Sequence, residues 1–559
     1  MKLQASETLC LVVFFSVGIA VAMPPESDPI VTTSLGKIRG TCLKSSTGKA
    51  FYAFRGIRYA KPPINELRFK APQPADKWNG IFDATKDGPR CPQPTANLSD
   101  ISEDCLRINV YTHNLPSEGS GNVRKPVIVY LHSGGFYVGS GQSWNFAGPL
   151  YFMDRDIVFV TLNYRLGILG FLSTGTAEAP GNAGLKDQVM ALKWIQSHIA
   201  DFGGDPNSVT LFGYSAGARS ITMHLISPMS RNLFHRAILM SGSTTTAQWE
   251  VPPNQLDLAK RQARLLNCGD ENIKEMVDCL KTKSAVDFGK SLRDMFEFGN
   301  GNPVVLFKPV VEPDFGQERF LTETPTKVYQ RGDFMRIPLI CGINKDEFAV
   351  LAIVTLRNDT LRNQLDTDFN TWAPVNFLYE RNTKRSNEIS KKLREFYLGD
   401  GPLSLEKSLD GLGKLYADSL IGFQMHRFIH LVAPFTKIYQ YRFTYQGRYS
   451  HTYYPDNKTP FGVVHHDDLL YLLTLPSIAP VFTEKDPERK TMERLTRMWT
   501  NFAHTSDPND PSDEYLRSTE WIPFDSDHER YLNIGENLEM KQHLQSDRFN
   551  VWDNLFPLH

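Results

Sequence analysis

Short apolar runs alternate with amphipathic segments along the first half of the chain and recur later in it. Each run is rich in β-branched residues and bounded by turn residues, which predicts a buried strand. The predicted strands are residues 127–131, 157–162, 209–212, 237–240, 337–343 and 438–443. Residues 185–202 and 216–226 show helical spacing of their apolar side chains. This alternation predicts an α/β fold with a mostly parallel sheet and helices on both faces.

Two long stretches interrupt the alternation, at about residues 244–335 and 350–435. Their pattern is helical and irregular, and we expect them to be insertions that form a lid and the wall of a gorge. No repeat or low-complexity linker divides the chain. We therefore expect residues 23–559 to form a single domain, because large α/β folds can exceed the usual domain length.

The candidate nucleophile lies in the sequence GYSAG at residues 213–217, between a predicted strand and a predicted helix. A serine flanked by small residues at such a junction is typical of a nucleophile elbow, which would hold the hydroxyl of Ser215 clear of the backbone. The N–H groups at the start of the helix can then face a developing oxyanion. The alternative is a glycine-rich surface turn, since G-x-S-x-G by itself is a weak signal.

Further candidate catalytic residues come directly after other predicted strands. The carboxyl ends of parallel strands meet at one rim of the sheet, so these residues are expected to lie close together. Gly134 and Gly135 follow strand 127–131 and could donate N–H groups to an oxyanion together with Ala216, although a plain glycine turn would look the same. The sequence NKDE at 344–347 follows one strand, and GVVHHDD at 462–468 comes after another. Taken singly, most carboxylates and imidazoles are structural or solvated. The order serine, acid, histidine is what favours a hydrolase triad.

Composition and charge exclude some classes of binding partner. The net charge is -1 and no basic block is present, which argues against nucleic acid or an anionic membrane. The apolar stretch at 9–22 ends in a small-x-small pattern and predicts a secretory signal peptide at residues 1–22. A signal anchor is the alternative, but the stretch is short for a membrane span. No later segment is apolar over about 18 residues, so we predict no further span.

Cysteines and glycosylation sequons agree with export. Six cysteines follow the signal segment, at positions 42, 91, 105, 268, 279 and 341. The close pairs 91/105 and 268/279 could each close a short loop, although six cysteines allow 15 connectivities. Zinc binding is the alternative, but no C-x2-C pair is present. Asn97, Asn358 and Asn457 begin N-glycosylation triplets.

Motifs along nearly the whole chain resemble those of the type-B carboxylesterase/cholinesterase family, and the form is that of an insect carboxylesterase. They are FRGIRYA at 54–60, EDCLRINVY at 103–111, NYR at 163–165, GNAGL at 181–185, DQ at 187–188 and FGGDP at 202–206. The string at 103–111 and the serine region are highly specific. The resemblance implies the α/β-hydrolase fold and a serine esterase.

The resemblance also implies residue roles. It makes Ser215 the nucleophile, Glu347 the acid and His465 the base. Gly134, Gly135 and Ala216 match the oxyanion donors. The family's disulfides correspond to Cys91–Cys105 and Cys268–Cys279, which leaves Cys42 and Cys341 as free thiols.

Three positions depart from the family pattern. Tyr214 stands before the nucleophile where the family usually has Glu, which removes a negative charge. His466 follows the catalytic histidine where Gly is usual, so the base is assigned to His465 through the G-x-x-H spacing from Gly462. Ser133 replaces the first glycine of the oxyanion loop. None of these departures removes a catalytic group.

The expected activity is hydrolysis of a small-molecule carboxylic ester without a metal or organic cofactor. A choline site is not expected, because the thirteen residues at 92–104 include no aromatic ring for a cation–π contact. A hydrolase resembling juvenile hormone esterase is one alternative, although that group usually has Gln at the position of Tyr214. The other is a non-catalytic adhesion ectodomain on the same fold. The sequence leaves the physiological ester and the oligomeric state open.

Overall fold

An eleven-stranded sheet runs through the centre of the molecule. The computed structural model of the chain describes residues 28–95, 97–116, 124–245, 251–299, 301–454, 456 and 458–558. Its strands are β1 (Ile30–Thr33), β2 (Gly36–Arg39), β3 (Thr41–Lys44), β4 (Ala50–Arg58), β5 (Ile81–Asp83), β6 (Arg107–Thr112), β7 (Lys125–Leu131), β8 (Val158–Leu162), β9 (Ser173–Thr176), β10 (Ala179–Pro180), β11 (Gly204–Tyr214), β12 (Arg236–Met240), β13 (Leu339–Asn344), β14 (Ile438–Phe443), β15 (Arg530–Ile534) and β16 (Leu538–Gln542).

The order of strands in the sheet is β16-β15-β14-β13-β12-β11-β7-β8-β6-β4-β3. The block from β8 through β7, β11, β12, β13 and β14 to β15 is parallel throughout. The outer pairs β15–β16, β8–β6, β6–β4 and β4–β3 are antiparallel. This mixed, mostly parallel sheet confirms the predicted fold class.

Every strand predicted from apolar runs is present, and most have shifted ends, although β14 has its predicted bounds. Strand β11 begins at Gly204, earlier than predicted, because it pairs with β7 there and again from Val209 after a register shift. Strand β13 begins at Leu339 instead of residue 337, since Pro338 has no N–H to donate to a neighbouring strand.

Both faces of the sheet are covered by apolar layers. Along β7, Val127, Val129 and Leu131 pack into one buried cluster, whereas Ile128 and Tyr130 pack into the other. Successive side chains of a strand point to opposite faces, so a strand buried on both faces is apolar at every position. The sheet therefore forms the rigid centre that positions the loops at its edge.

Helices cover these two faces and fill the insertions. They are α1 (Gly167–Phe171), α2 (Ala183–His198), α3 (Ala216–Ile226), α4 (Leu256–Leu265), α5 (Ile273–Lys281), α6 (Ala285–Ser291), α7 (Pro325–Gln330), α8 (Ala349–Arg357), α9 (Asp359–Thr367), α10 (Phe369–Phe377), α11 (Lys384–Tyr397), α12 (Leu405–Ala417), α13 (Phe423–Val432), α14 (Arg489–Thr505) and α15 (Ser546–Leu555). Helices α2 and α3 pack in the first cluster and α14 in the second. The insertions contain α4–α7 and α8–α13, as their patterns predicted. None of the helices in the described ranges is both long enough and apolar enough to cross a membrane.

Candidate active site

Ser215 occupies the turn between β11 and α3. Its backbone lies outside the regions that non-glycine residues usually adopt, with φ 53° and ψ −113°, a conformation that costs about 1–3 kcal/mol. Its N–H donates to the carbonyl oxygen of Met240 at 2.8 Å, which fixes the turn to the end of β12. The side chain is almost fully buried. The turn between strand and helix that the sequence predicted at Ser215 is therefore present.

The flanking glycines are required by close backbone contacts. A Cβ at Gly213 would lie 2.5 Å from the carbonyl carbon of Gly217, across the turn. A Cβ at Gly217 would lie 1.9 Å from the carbonyl oxygen of Leu131, the last residue of β7. Any side chain at either position would thus push the elbow away from the sheet, which explains the G-x-S-x-G pattern in physical terms.

The glycine loop after β7 lies beside this elbow, because Leu131 pairs with Gly213. Gly134 and Gly135 have φ of 114° and 59°, and their N–H groups donate to no residue that the structure describes. Ala216 is the first residue of α3, where an N–H has no carbonyl partner within its own helix. The N–H groups of Gly134 and Gly135 thus have no partner among the described residues, and that of Ala216 has none within its own helix; their role as oxyanion donors stays a prediction.

Glu347 lies in the turn that follows β13 and is buried. One carboxylate oxygen, Oε1, accepts hydrogen bonds from the hydroxyl of Ser241 at 2.5 Å and from the N–H of Asn344 at 2.8 Å. The other, Oε2, lies 2.5 Å from Nδ1 of His465. Burial raises the pKa of Glu347, and the bonds from Ser241 and Asn344 act against this by stabilising the carboxylate.

His465 is held from both sides by the acid turn and a neighbouring ring. Its imidazole stacks on Phe348 with ring centres 4.1 Å apart, while Nδ1 contacts Glu347. Its Nε2 atom has no hydrogen-bond partner among the described residues. Burial, and after it the charge of Arg219, lowers the pKa of His465 well below its ordinary value. Both effects favour the neutral ring, in which one nitrogen can accept a proton.

The acid turn and the histidine loop are joined through Asp346. Its N–H donates to the carbonyl oxygen of Val463 at 2.9 Å, and its carboxylate accepts the N–H of Val463 at 2.8 Å. Gly462 precedes this contact with φ 67°, and a Cβ there would lie 2.3 Å from the Asp346 carboxylate. The glycine three residues before His465 is thus explained by a close approach of the two loops.

The structure therefore brings Glu347 and His465 into direct contact, and the ring of Tyr214, the residue before Ser215, lies 5.0 Å from that of His465. Ser241 and Asn344 also belong to this site, although sequence reasoning missed them. Ser241 directly follows the predicted strand 237–240, and a search for polar residues at every strand end would have found it.

The remaining predicted residues lie elsewhere. The disulfides Cys91–Cys105 and Cys268–Cys279 are present, and Cys42 and Cys341 are free. Asn97 and Asn358 are exposed. The predicted signal peptide at 1–22 and the acceptor Asn457 lie outside the described residues.

Several known proteins similar to this chain are named esterases. The sequence profile of the carboxylesterase family matches residues 27–552. Esterase FE4 of Myzus persicae is 37% identical over 92% of this chain and 90% of its own length. Juvenile hormone esterase of Tribolium castaneum is 37% identical over 86% of this chain and 84% of its own length.

A solved structure agrees with these relatives. The crystal structure of juvenile hormone esterase from Manduca sexta, with OTFP covalently attached, superimposes with a TM-score of 0.81 at 29% identity. The match covers 95% of this chain and 99% of that one. The likeness thus extends over both sequence and fold.

Proposed function

Because the chain belongs to the carboxylesterase family, we propose that it hydrolyses carboxylic esters through an acyl-enzyme on Ser215. The observation that carries this proposal is the contact of 2.5 Å between Glu347 Oε2 and His465 Nδ1, beside a serine at a strained elbow. When Glu347 is ionised it accepts the proton of Nδ1, and the proposal then leaves Nε2 as the nitrogen without a proton.

In the proposed first step, Nε2 of His465 takes the hydroxyl proton of Ser215 while the serine oxygen bonds to the ester carbonyl carbon. Glu347 stabilises the imidazolium that forms. The negative charge moves to the carbonyl oxygen, where the N–H groups of Gly134, Gly135 and Ala216 can donate to it. The C–O bond to the alcohol then breaks, and the alcohol leaves with the proton held by His465.

In the second step, His465 takes a proton from water as the water oxygen attacks the acyl carbon. The bond to Ser215 breaks, the serine recovers its proton, and the carboxylic acid is released. The oxyanion is stabilised by the same three N–H groups. At the end of the second step Ser215 and His465 have returned to their starting protonation states, so the cycle needs only the ester and water.

A generic aryl ester, with and without an organophosphate, tests the proposal. We expect turnover that the organophosphate abolishes, with its phosphoryl mass on the peptide that contains Ser215. The variant Ser215→Ala should lose about 10⁴-fold or more in kcat. Ser390→Ala, which removes a buried hydroxyl bonded to Tyr379 in another part of the fold, serves as the matched control. A folded wild-type protein without turnover or labelling would favour the adhesion ectodomain instead.

The relatives named juvenile hormone esterase favour a second, narrower candidate, a hormone ester hydrolase. The test compares kcat/KM for juvenile hormone with that for short aryl esters. A kcat/KM for the hormone above those of all short esters would support the hormone ester hydrolase. A lower kcat/KM would contradict it and favour a general carboxylesterase.

We also propose that the protein is secreted and glycosylated. Its apolar N-terminal segment and the exposed positions of Asn97 and Asn358 support this. The expected result after expression in a secreting cell is protein in the medium that lacks residues 1–22 and loses mass on enzymatic deglycosylation. Retention of the protein inside the cell with the leader intact would contradict the proposal.

A further inference from the structure

We propose that Tyr214 is a positioning residue, whose hydroxyl holds His466 in a left-handed conformation and thereby fixes His465 relative to Ser215. The inference rests on the proposed esterase function and adds a residue to it. Tyr214 directly precedes the candidate nucleophile, and His466 directly follows the candidate base.

One hydrogen bond joins the two catalytic segments. The N–H of His466 donates to the phenol oxygen of Tyr214 at 2.7 Å. The rings of the two residues stack with centres 4.8 Å apart and an angle of 29° between their planes. The Tyr214 ring also lies 5.0 Å from the imidazole of His465. Because each partner is one residue away from a reacting side chain, this bond sets the separation of nucleophile and base.

The bond is made to a residue in a disfavoured conformation. His466 has φ 83°, a value that glycine adopts freely and that crowds the Cβ of any other residue. Its own side-chain nitrogen Nε2 has no hydrogen-bond partner in the part of the chain that the structure describes. The N–H bond to Tyr214 thus joins the bond from the N–H of Leu469 to the carbonyl oxygen of His466 at 3.1 Å in holding this turn, and it is the one that ties His466 to the segment of Ser215.

Asn344 connects the same phenol to the acid. Its side-chain amide lies 3.2 Å from the Tyr214 oxygen and donates to the carbonyl oxygen of Val464 at 2.8 Å. Its backbone N–H donates to Glu347. The nucleophile, acid and base segments thus share one buried network of hydrogen bonds, with the phenol at its centre.

Asp468 belongs to the same network through Asn344. This carboxylate is fully buried, accepts from Asn344 at 3.0 Å and from the hydroxyl of Tyr441 at 3.2 Å. Burial raises the pKa of Asp468 to about 7, and hydrogen bonds from Asn344, Tyr214 and Tyr441 act against this rise. The Tyr214 oxygen accepts the N–H of His466 and lies within hydrogen-bond distance of the Asn344 amide that also bonds Asp468.

If Tyr214 served only to fill space, replacing it with phenylalanine would leave the activity unchanged, because the phenylalanine ring fills nearly the same volume. The test is therefore Tyr214→Phe, alone and combined with His466→Gly, which removes the conformational strain that the hydroxyl opposes. Tyr379→Phe is the matched control, since it removes a buried hydroxyl bonded to Ser390 in another part of the fold. The concentration of active sites in each variant is measured by titration with an organophosphate. Each kcat is calculated per active site, so that misfolded protein does not lower the value.

We expect Tyr214→Phe to lower kcat about tenfold with KM changed less than about twofold, since misplacing a catalytic group costs rate more than binding. In the His466→Gly background the same substitution should cost less than about threefold, because glycine holds φ 83° without help. The control Tyr379→Phe should match wild type.

Two results would overturn the proposal: a Tyr214→Phe variant as fast as the Tyr379→Phe control, or the same loss in both backgrounds. Should Tyr214→Phe fail to fold, the double variant compared with His466→Gly carries the test, and a tenfold loss there counts against the proposal. Wild-type protein that neither turns over nor takes up the organophosphate at Ser215 would refute the esterase function itself. The two failures are therefore distinguishable.

Discussion

The hydroxyl of Ser241 donates to Glu347 Oε1 at 2.5 Å, on the side of the carboxylate that does not face His465. Ser241 has φ 55°, and its N–H donates to the carbonyl oxygen of Gly342 on the next strand. The acid is thus oriented by a residue from the end of β12, one strand away from its own. Because Ser241 holds Oε1, the carboxylate faces the imidazole of His465 with Oε2.

Loss of this donor should change the pH profile. The bond from Ser241 lowers the pKa of Glu347, so Ser241→Ala raises it further, and the carboxylate is ionised only at higher pH. We expect kcat/KM at pH 7 to fall about tenfold and its acid limb to move to higher pH. Ser243→Ala is the control, because that neighbouring buried serine bonds to the carbonyl oxygen of Gln424 instead. An unmoved acid limb would contradict the assignment of Ser241.

Replacing the carboxylate of the acid tests its role directly. Glu347→Gln keeps the shape but cannot stabilise the imidazolium, and we expect kcat to fall by about 10³–10⁴-fold. Glu312→Gln serves for comparison, since Glu312 is also buried but pairs with Lys186 at 2.6 Å. Equal rates for the two variants would mean that another group stands behind His465.

The charge of Arg219 contributes to the pKa of His465. Its positive charge lowers the pKa of His465, after the larger effect of burial. His465 acts as base when neutral, so activity is present above its pKa and is lost as the pH falls through it. Arg219→Met should raise that pKa and move the acid limb of kcat/KM to higher pH.

Arg219→Lys keeps the positive charge and is the matched control. Its acid limb should stay closer to that of the wild type than the limb of Arg219→Met does. Identical shifts in the two variants would assign the effect to packing, since Arg219 is fully buried and donates to the carbonyl oxygen of Leu420.

A side chain in the glycine loop should disable the oxyanion donors. At Gly134 a Cβ would lie 1.9 Å from the carbonyl oxygen of Val138, so Gly134→Ala must displace the loop. We expect kcat to fall about 10²–10³-fold with little change in KM, the usual cost of losing one donor. Gly48→Ala controls for backbone strain, because Gly48 has φ 85° with open space around it. A Gly134→Ala variant no slower than Gly48→Ala would place the oxyanion elsewhere.

Much of the molecule follows from local patterns. Strand β14 and helix α3 have the bounds that their apolar spacing predicted, because continuous apolar runs and helical spacing are local properties of the chain. The G-x-S-x-G turn and the order of Ser215, Glu347 and His465 identified the candidate triad. Strand ends were less well predicted, since the start of β11 depends on pairing with β7, 79 positions earlier at the Gly204–Lys125 pair.

The sequence by itself determined the fold class, the family and the residues proposed to react. Each of these can be recognised from short motifs and from the periodicity of apolar side chains. Only the tertiary structure decided which distant groups support them. Ser241 behind Glu347, and the phenol of Tyr214 against the N–H of His466, lie far apart along the chain and meet because parallel strands end at one rim. Such contacts depend on strand order and register, which pairing across the whole sheet sets and no local pattern encodes.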